Sequence, residues 1–269
     1  MASAWTTTKL RSELEVFDAL ADLKRRVWLS RGQSKVYCSL IPSIDRPPLT
    51  RLSRRDKLQR ERSGIDLFRS TAHFFADDGE RYALRDDIVA LMVLRHYEAP
   101  TRLLDWSISP YVAAYFAVHD HDSKAGELWS FDEAHYAVNG KKQWIKWPET
   151  TTDGSGNDAK FDANLTAFLP SDRPDWIIVG YYEPGFPRQQ AQWGRFTMTA
   201  QFQRDHAQSL QELLDDGSKH CRYIIPAHLK ATIRQRLHRD HGVWRGALYP
   251  DSAGAAETAG CAIRGARIV

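Results

Sequence analysis

The 269-residue chain predicts an α+β fold, one mixed or antiparallel sheet flanked by helices, and three observations carry that expectation. The first third is dominated by apolar residues at helical spacing. From Gly126 onward, short β-rich runs recur at Glu127–Phe131, Trp176–Tyr182, Arg195–Thr199 and Cys221–Ile225, with helical segments between them. Helices first and then mainly strands is the order of α+β architectures rather than of alternating βαβ units. At 42% hydrophobic and 26% charged residues, the chain has the composition of a globule that can bury a core of its own. It reads as a single domain over 1–269, with no internal repeat.

Taken in order, Leu10, Leu14, Phe17 and Ala21 place one apolar face on a helix over 8–26. Val27-Trp-Leu29 is a short strand running into Ser30-Arg-Gly-Gln33, where Gly32 ends the strand in a turn or lets a ligand come close. Residues 38–48 form a proline-stiffened link. The basic run of 51–62 opens a helix that continues through Ile65, Phe68, Ala72 and Phe75 and ends at Asp77-Asp-Gly79. A further helix over 85–95 stops before Pro100, which disfavours helical geometry at Ala99. Ser109 is an N-cap and Pro110 suits the first helical position. The helix they open carries Ala113, Ala114 and Ala117, small enough to pack closely on a sheet. Residues 139–158, ending in Thr-Thr-Thr-Asp-Gly-Ser-Gly-Asn-Asp158, read as an exposed insertion. Trp176–Tyr182 reads as a doubly buried strand. Short helices over 207–214 and after Pro226 complete the chain.

Several chemistries can be set aside. The net charge of +3 is too small to argue for nucleic-acid binding by itself. Cys38, Cys221 and Cys261 form no CxxC pair and point to a reducing, cytoplasmic setting. No apolar run reaches membrane-spanning length, so no membrane partner is expected. Walker A, GxGxxG and GxSxG motifs are absent. His119-Asp-His121 and His238-Arg-Asp-His241 lack the arrangement of a defined metal site, and no metal is expected.

The densest chemistry lies in Arg95-His-Tyr-Glu-Ala-Pro-Thr-Arg-Leu-Leu-Asp-Trp106. A ring nitrogen, a hydroxyl, guanidinium groups and carboxylates sit together between two apolar helices. Such a cluster is either a buried polar network that fixes the path of the chain or an active site.

Three blocks resemble the FRG domain family. They are Trp28-Leu-Ser-Arg-Gly-Gln33 with Leu40–Ile44, then His96–Trp106 with Pro110–Ala117, then Arg188–Thr197. A weaker fourth is Leu248-Tyr-Pro-Asp251. Ser30 stands where the family name expects Phe, Arg95 where Gln is common, and Glu98 where Gly is common. The family occurs in bacteria and phages, sometimes beside toxin or defence components. By fold-level analogy its layout is similar to that of ADP-ribosyltransferases. The resemblance therefore implies an NAD-dependent ADP-ribosyltransferase or NAD glycohydrolase. Arg31, His96, Asp105 and Gln192 would be its catalytic residues. Arg31, Gly32, Gln33, Tyr97, Thr101, Arg102 and Trp193 would hold NAD as substrate. A protein or nucleic acid would accept the ADP-ribose. Gln192 cannot serve as a general base, so Asp105 or Glu98 would supply the carboxylate. The other open reading is a non-enzymatic module that binds a nucleotide or nucleic acid through the same cations.

Overall fold

The structure is a computed structural model that describes residues 5–74, 87–145, 177–180, 187–199, 201–263 and 265. Its strands are β1 (Thr6–Lys9), β2 (Leu29–Gln33), β3 (Leu103–Ser107), β4 (Gly126–Phe131), β5 (Ile177–Gly180), β6 (Gly194–Thr199) and β7 (His220–Ile225). They form one sheet in the order β1-β7-β4-β2-β3-β6-β5. The pair β1–β7 is parallel and the other neighbours are antiparallel, so the sheet is mixed, as the sequence predicts.

Helices cover both faces. On one side lie α1 (Glu13–Arg26), α4 (Pro110–Val118) and, after α5 (Glu133–Ile145) and α6 (Pro187–Ala191), helix α8 (Lys230–His241). Their core includes Phe17, Leu20, Val112, Val118, Ile233 and Leu237. On the other side α7 (His206–Leu214) packs Leu210 and Leu214 against Leu29, Leu104, Trp106 and Trp129. Helices α2 (Arg54–Ala72) and α3 (Asp87–His96) join Ile65 and Leu91 to Leu103 and Met198. The chain closes with α9 (Arg245–Leu248) and α10 (Ser252–Ile263).

Several elements differ from the expectation. Residues 6–9 form an exposed edge strand, and the first helix starts only at Glu13, because Ser12 caps it by accepting from Glu15 N. The cluster between α3 and α4 contains strand β3, whose apolar Leu103, Leu104 and Trp106 were hidden among charged neighbours. Residues 139–145 continue α5 rather than opening an exposed insertion, and 146–158 lie outside the described residues. Strand β5 covers Ile177–Gly180 and ends the sheet order, while 176, 181 and 182 lie outside the described residues. The helix stop at 77–79 also lies outside the described residues. Ser109 caps α4 as expected, accepting from Val112 N, with Pro110 at the helix start.

Gly32 lies inside β2 and does not end it. A Cβ there would stand 1.9 Å from the Ala113 carbonyl oxygen and 2.5 Å from Ala117 N. At Gly126 the Ala117 carbonyl oxygen would be 2.0 Å away. The small face of α4 thus rests directly on two glycines of adjacent strands. Gly32→Ala is expected to push α4 off the sheet and to cost about 3 kcal/mol, the upper end for overpacking. Denaturant unfolding of the variant checks this; a loss within about 0.5 kcal/mol, the range of an ordinary surface substitution, would contradict it.

Candidate functional site

Strands β2 and β3 are neighbours but share a single register pair, Ser30 with Ser107. Beyond it their ladder stops. Side chains alternate along a strand. Gly32 faces α4, so Arg31 leaves the backbone on the opposite side, where its register partner Trp129 lies in the α7 core. Its guanidinium nevertheless reaches the cleft on the α4 side. The Arg31 Nη1 group donates to the Asp105 carbonyl oxygen at 2.6 Å. Arg31 therefore passes through the gap in the sheet.

The cleft has a volume of about 190 Å³. Its floor is Asp105. Arg95 donates to Asp105 Oδ2 from Nε at 2.9 Å and from Nη2 at 2.7 Å. Arg31 Nη1 lies 3.7 Å from the same oxygen. Burial alone would raise the Asp105 pKa, but Arg95 and then Arg31 outweigh it and hold the carboxyl below its usual value. The partner cations respond in opposite senses. Arg95 is shifted up by Asp105. Arg31 falls to about 10, chiefly through burial, with Arg95 and Arg46 adding repulsion. It stays charged at neutral pH, in a place where positive charge is in excess.

The rim adds more cations. Arg188 and Arg195 line the cleft with Glu98, Gln192, Phe116 and Tyr249. Arg188 donates to Asp251 Oδ2 at 2.6 Å and to the His96 carbonyl oxygen at 3.2 Å, and its guanidinium stands 4.9 Å from the Tyr249 ring centre. It thereby ties the C-terminal Leu248–Asp251 phrase to the end of α3. Burial pushes the Tyr249 hydroxyl up, and nearby Arg245 opposes this. Glu98 has φ of 65°, the left-handed region where glycine is favoured. The chain accepts that strain and places a second carboxylate in the cleft.

The residues expected from the sequence thus separate into three groups. Arg31, Gly32, His96, Asp105 and Gln192 meet in the cleft. Gln192 donates from Nε2 to the Leu248 carbonyl oxygen at 3.0 Å. Tyr97 and Trp193 are exposed and outside the cleft lining, Tyr97 edge-on to the His96 ring at 4.8 Å. Gln33, Thr101 and Arg102 are buried elsewhere. Gln33 Nε2 donates to Glu127 Oε1 and to the Ser39 carbonyl oxygen. Thr101 bonds Ser43 through its backbone. Arg102 forks onto Glu61 of α2 and lies 4.3 Å from the Phe202 ring centre. Gly32 gives α4 its close approach and also lines the cleft. Sequence reasoning did not place Arg95, Arg188, Arg195 and Tyr249 in the site.

Behind the sheet, His206 is fully buried at the start of α7. Burial lowers its pKa from 6.5 to about 3, and Arg31 adds to the shift. A histidine with a lowered folded-state pKa contributes stability that is present above pH 6.5 and lost as the pH falls from there toward 3. The protein is expected to lose about 1.4 kcal/mol of stability per pH unit from this group across that window. Urea unfolding of wild type and His206→Gln over pH 7 to 4.5 checks it; equal slopes in the two proteins would contradict it.

With this geometry in hand, comparison with known proteins finds one match. The family model of the FRG domain covers residues 26–126. No curated protein and no solved structure matches the chain. The matched range carries β2, α3, β3 and α4, hence Arg31, Arg95, His96, Glu98 and Asp105. It stops before the blocks around Gln192 and Tyr249. Among the described residues no helix is long and apolar enough to cross a membrane.

Proposed function

We propose that this chain, whose residues 26–126 match the FRG domain, binds a nucleotide by its phosphates in the β2–β3 cleft. The observation that carries the reading is the gathering of four guanidinium groups there, Arg31, Arg95, Arg188 and Arg195, against three carboxylates, Asp105, Glu98 and the Asp251 that pairs with Arg188. Planar forked donors suit phosphate oxygens, and a partly desolvated cleft strengthens the attraction. Phe116 and Tyr249 offer apolar faces beside the cations.

Within that reading NAD is the substrate and its nicotinamide–ribose bond the one broken. The C1′–N bond would cleave with its electron pair leaving on nicotinamide, and the oxocarbenium-like ribose would be captured by water or an acceptor hydroxyl that gives up a proton. Such a reaction asks mainly for positioning and for charge placed where charge develops. Asp105 is committed to two arginines and orients them. Glu98 lies in the same cleft and, among the described residues, no arginine forks onto it, which makes it the better carboxylate to face the developing cation. His96 would meet a ribose hydroxyl.

A second reading, phosphate recognition without chemistry, is favoured by the cleft volume, which is below the roughly 300 Å³ of the smallest drug-sized pockets. It would seat one phosphate and its sugar rather than a whole dinucleotide. Calorimetric titration with NAD, ADP-ribose and nicotinamide tests the shared part. NAD and ADP-ribose are expected to bind, more weakly as salt rises, and nicotinamide alone is not. Failure of both nucleotides to bind would overturn the proposal.

A further inference from the structure

Three buried polar side chains stand behind Arg31, on the α7 side of the sheet. Trp106 Nε1 donates to Thr197 Oγ1 at 2.8 Å. Thr197 Oγ1 and His206 Nδ1 are 2.9 Å apart. An indole nitrogen can only donate, and a hydroxyl has one proton to give. His206 Nδ1 is an acceptor within reach of that proton. The Thr197 hydroxyl therefore donates to Nδ1, and a neutral His206 must carry its proton on Nε2. That Nε2–H is buried and has no partner among the described residues. The same holds for Arg31 Nε–H.

Two buried donors without acceptors, on residues tied to consecutive positions of β3, Arg31 through the Asp105 carbonyl oxygen and His206 through Thr197 and the Trp106 indole, are costly unless something accepts from both. A donor cannot satisfy another donor. A water molecule can, because its oxygen accepts twice. We infer that His206 is a positioning residue for Arg31, with His206 Nε2–H and Arg31 Nε–H donating to one shared buried water behind the sheet. The far end of Arg31 is fixed by the Asp105 carbonyl oxygen. The near end is fixed by this water, and the guanidinium is held across the strand gap from both sides. The low pKa of His206 agrees, since a protonated ring would set a second cation against Arg31. The consequence for ligand affinity rests on the nucleotide reading above; the two proton positions do not.

Nitrogen NMR of the intact protein tests the inference without any ligand. The His206 ring is expected as the neutral Nε2–H tautomer, and the Arg31 Nε–H as slowly exchanging. His206→Asn places an amide where Nδ1 was and removes the distal donor. His206→Gln places an amide where Nε2 was. The Asn variant is expected to speed Arg31 Nε–H exchange about tenfold, the worth of one lost buried hydrogen bond. The Gln variant is expected to keep it near wild type. A wild-type ring protonated on Nδ1 would overturn the inference, and so would Arg31 exchange that is unchanged in the Asn variant. Should the Asn variant not fold, the wild-type tautomer still decides. Correct tautomer and exchange with no NAD binding would reject the cleft reading and leave this one standing.

Discussion

Arg102→Ala is expected to cost about 3–5 kcal/mol of folding stability. The Arg102 and Glu61 side chains are each 1% exposed. Glu61 faces inward from α2 one turn before Ile65, and Arg102 reaches it from the entry to β3. Removing the guanidinium leaves a carboxylate in the interior with its main partner gone, and it is that stranded charge that makes the loss large. Glu61→Ala should do comparable damage by stranding Arg102. The double replacement Arg102→Met with Glu61→Leu should be milder than either single change, because buried ion pairs often lose little when replaced together by apolar groups. Chemical denaturation of the three variants checks the order. A double variant as unstable as either single variant would contradict this.

Arg31→Ala is expected to lower NAD or ADP-ribose affinity about a hundredfold while sparing the fold, the scale of losing one partner of a desolvated, hydrogen-bonded charge contact. Asp105 keeps its two bonds from Arg95, so no bare carboxylate remains on the floor. Arg31→Lys should recover little, since an ammonium cannot both bond the Asp105 carbonyl oxygen and present a flat fork to phosphate. Calorimetry with ADP-ribose, paired with a melting curve, separates the two effects. Intact affinity in the alanine variant would remove Arg31 from the site. Collapse of the fold would make it a brace for the sheet gap.

The two variants divide what the sequence made legible from what it did not. The Arg-Gly pair and the Thr-Arg-Leu-Leu-Asp-Trp phrase stand out on the page, but the phrase mixes two purposes. Asp105 and Arg102 are three residues apart in and beside one strand, and one faces the cleft while the other is buried against α2 and Phe202. Alternation along β3 makes that division, and the charged residues on either side of Leu103, Leu104 and Trp106 conceal the strand in the sequence. The N-cap at Ser109 and the small face of α4 were readable because they depend only on local residues. Arg188, Arg195 and Tyr249 join the site through pairings far apart in sequence, which spacing does not reveal. His206 carried no local signal at all. Its role depends on a hydroxyl in β6 and an indole in β3.

The measurement that tests the account most directly is release of nicotinamide from NAD by wild type, Arg31→Ala and Glu98→Gln side by side, alone and with cell lysate, DNA or RNA added. The account expects release by wild type, little by Arg31→Ala because NAD is no longer held, and little by Glu98→Gln even when NAD is saturating. No release by wild type under any of these conditions, with ADP-ribose still bound, would contradict NAD cleavage and leave the cleft as a site of phosphate recognition.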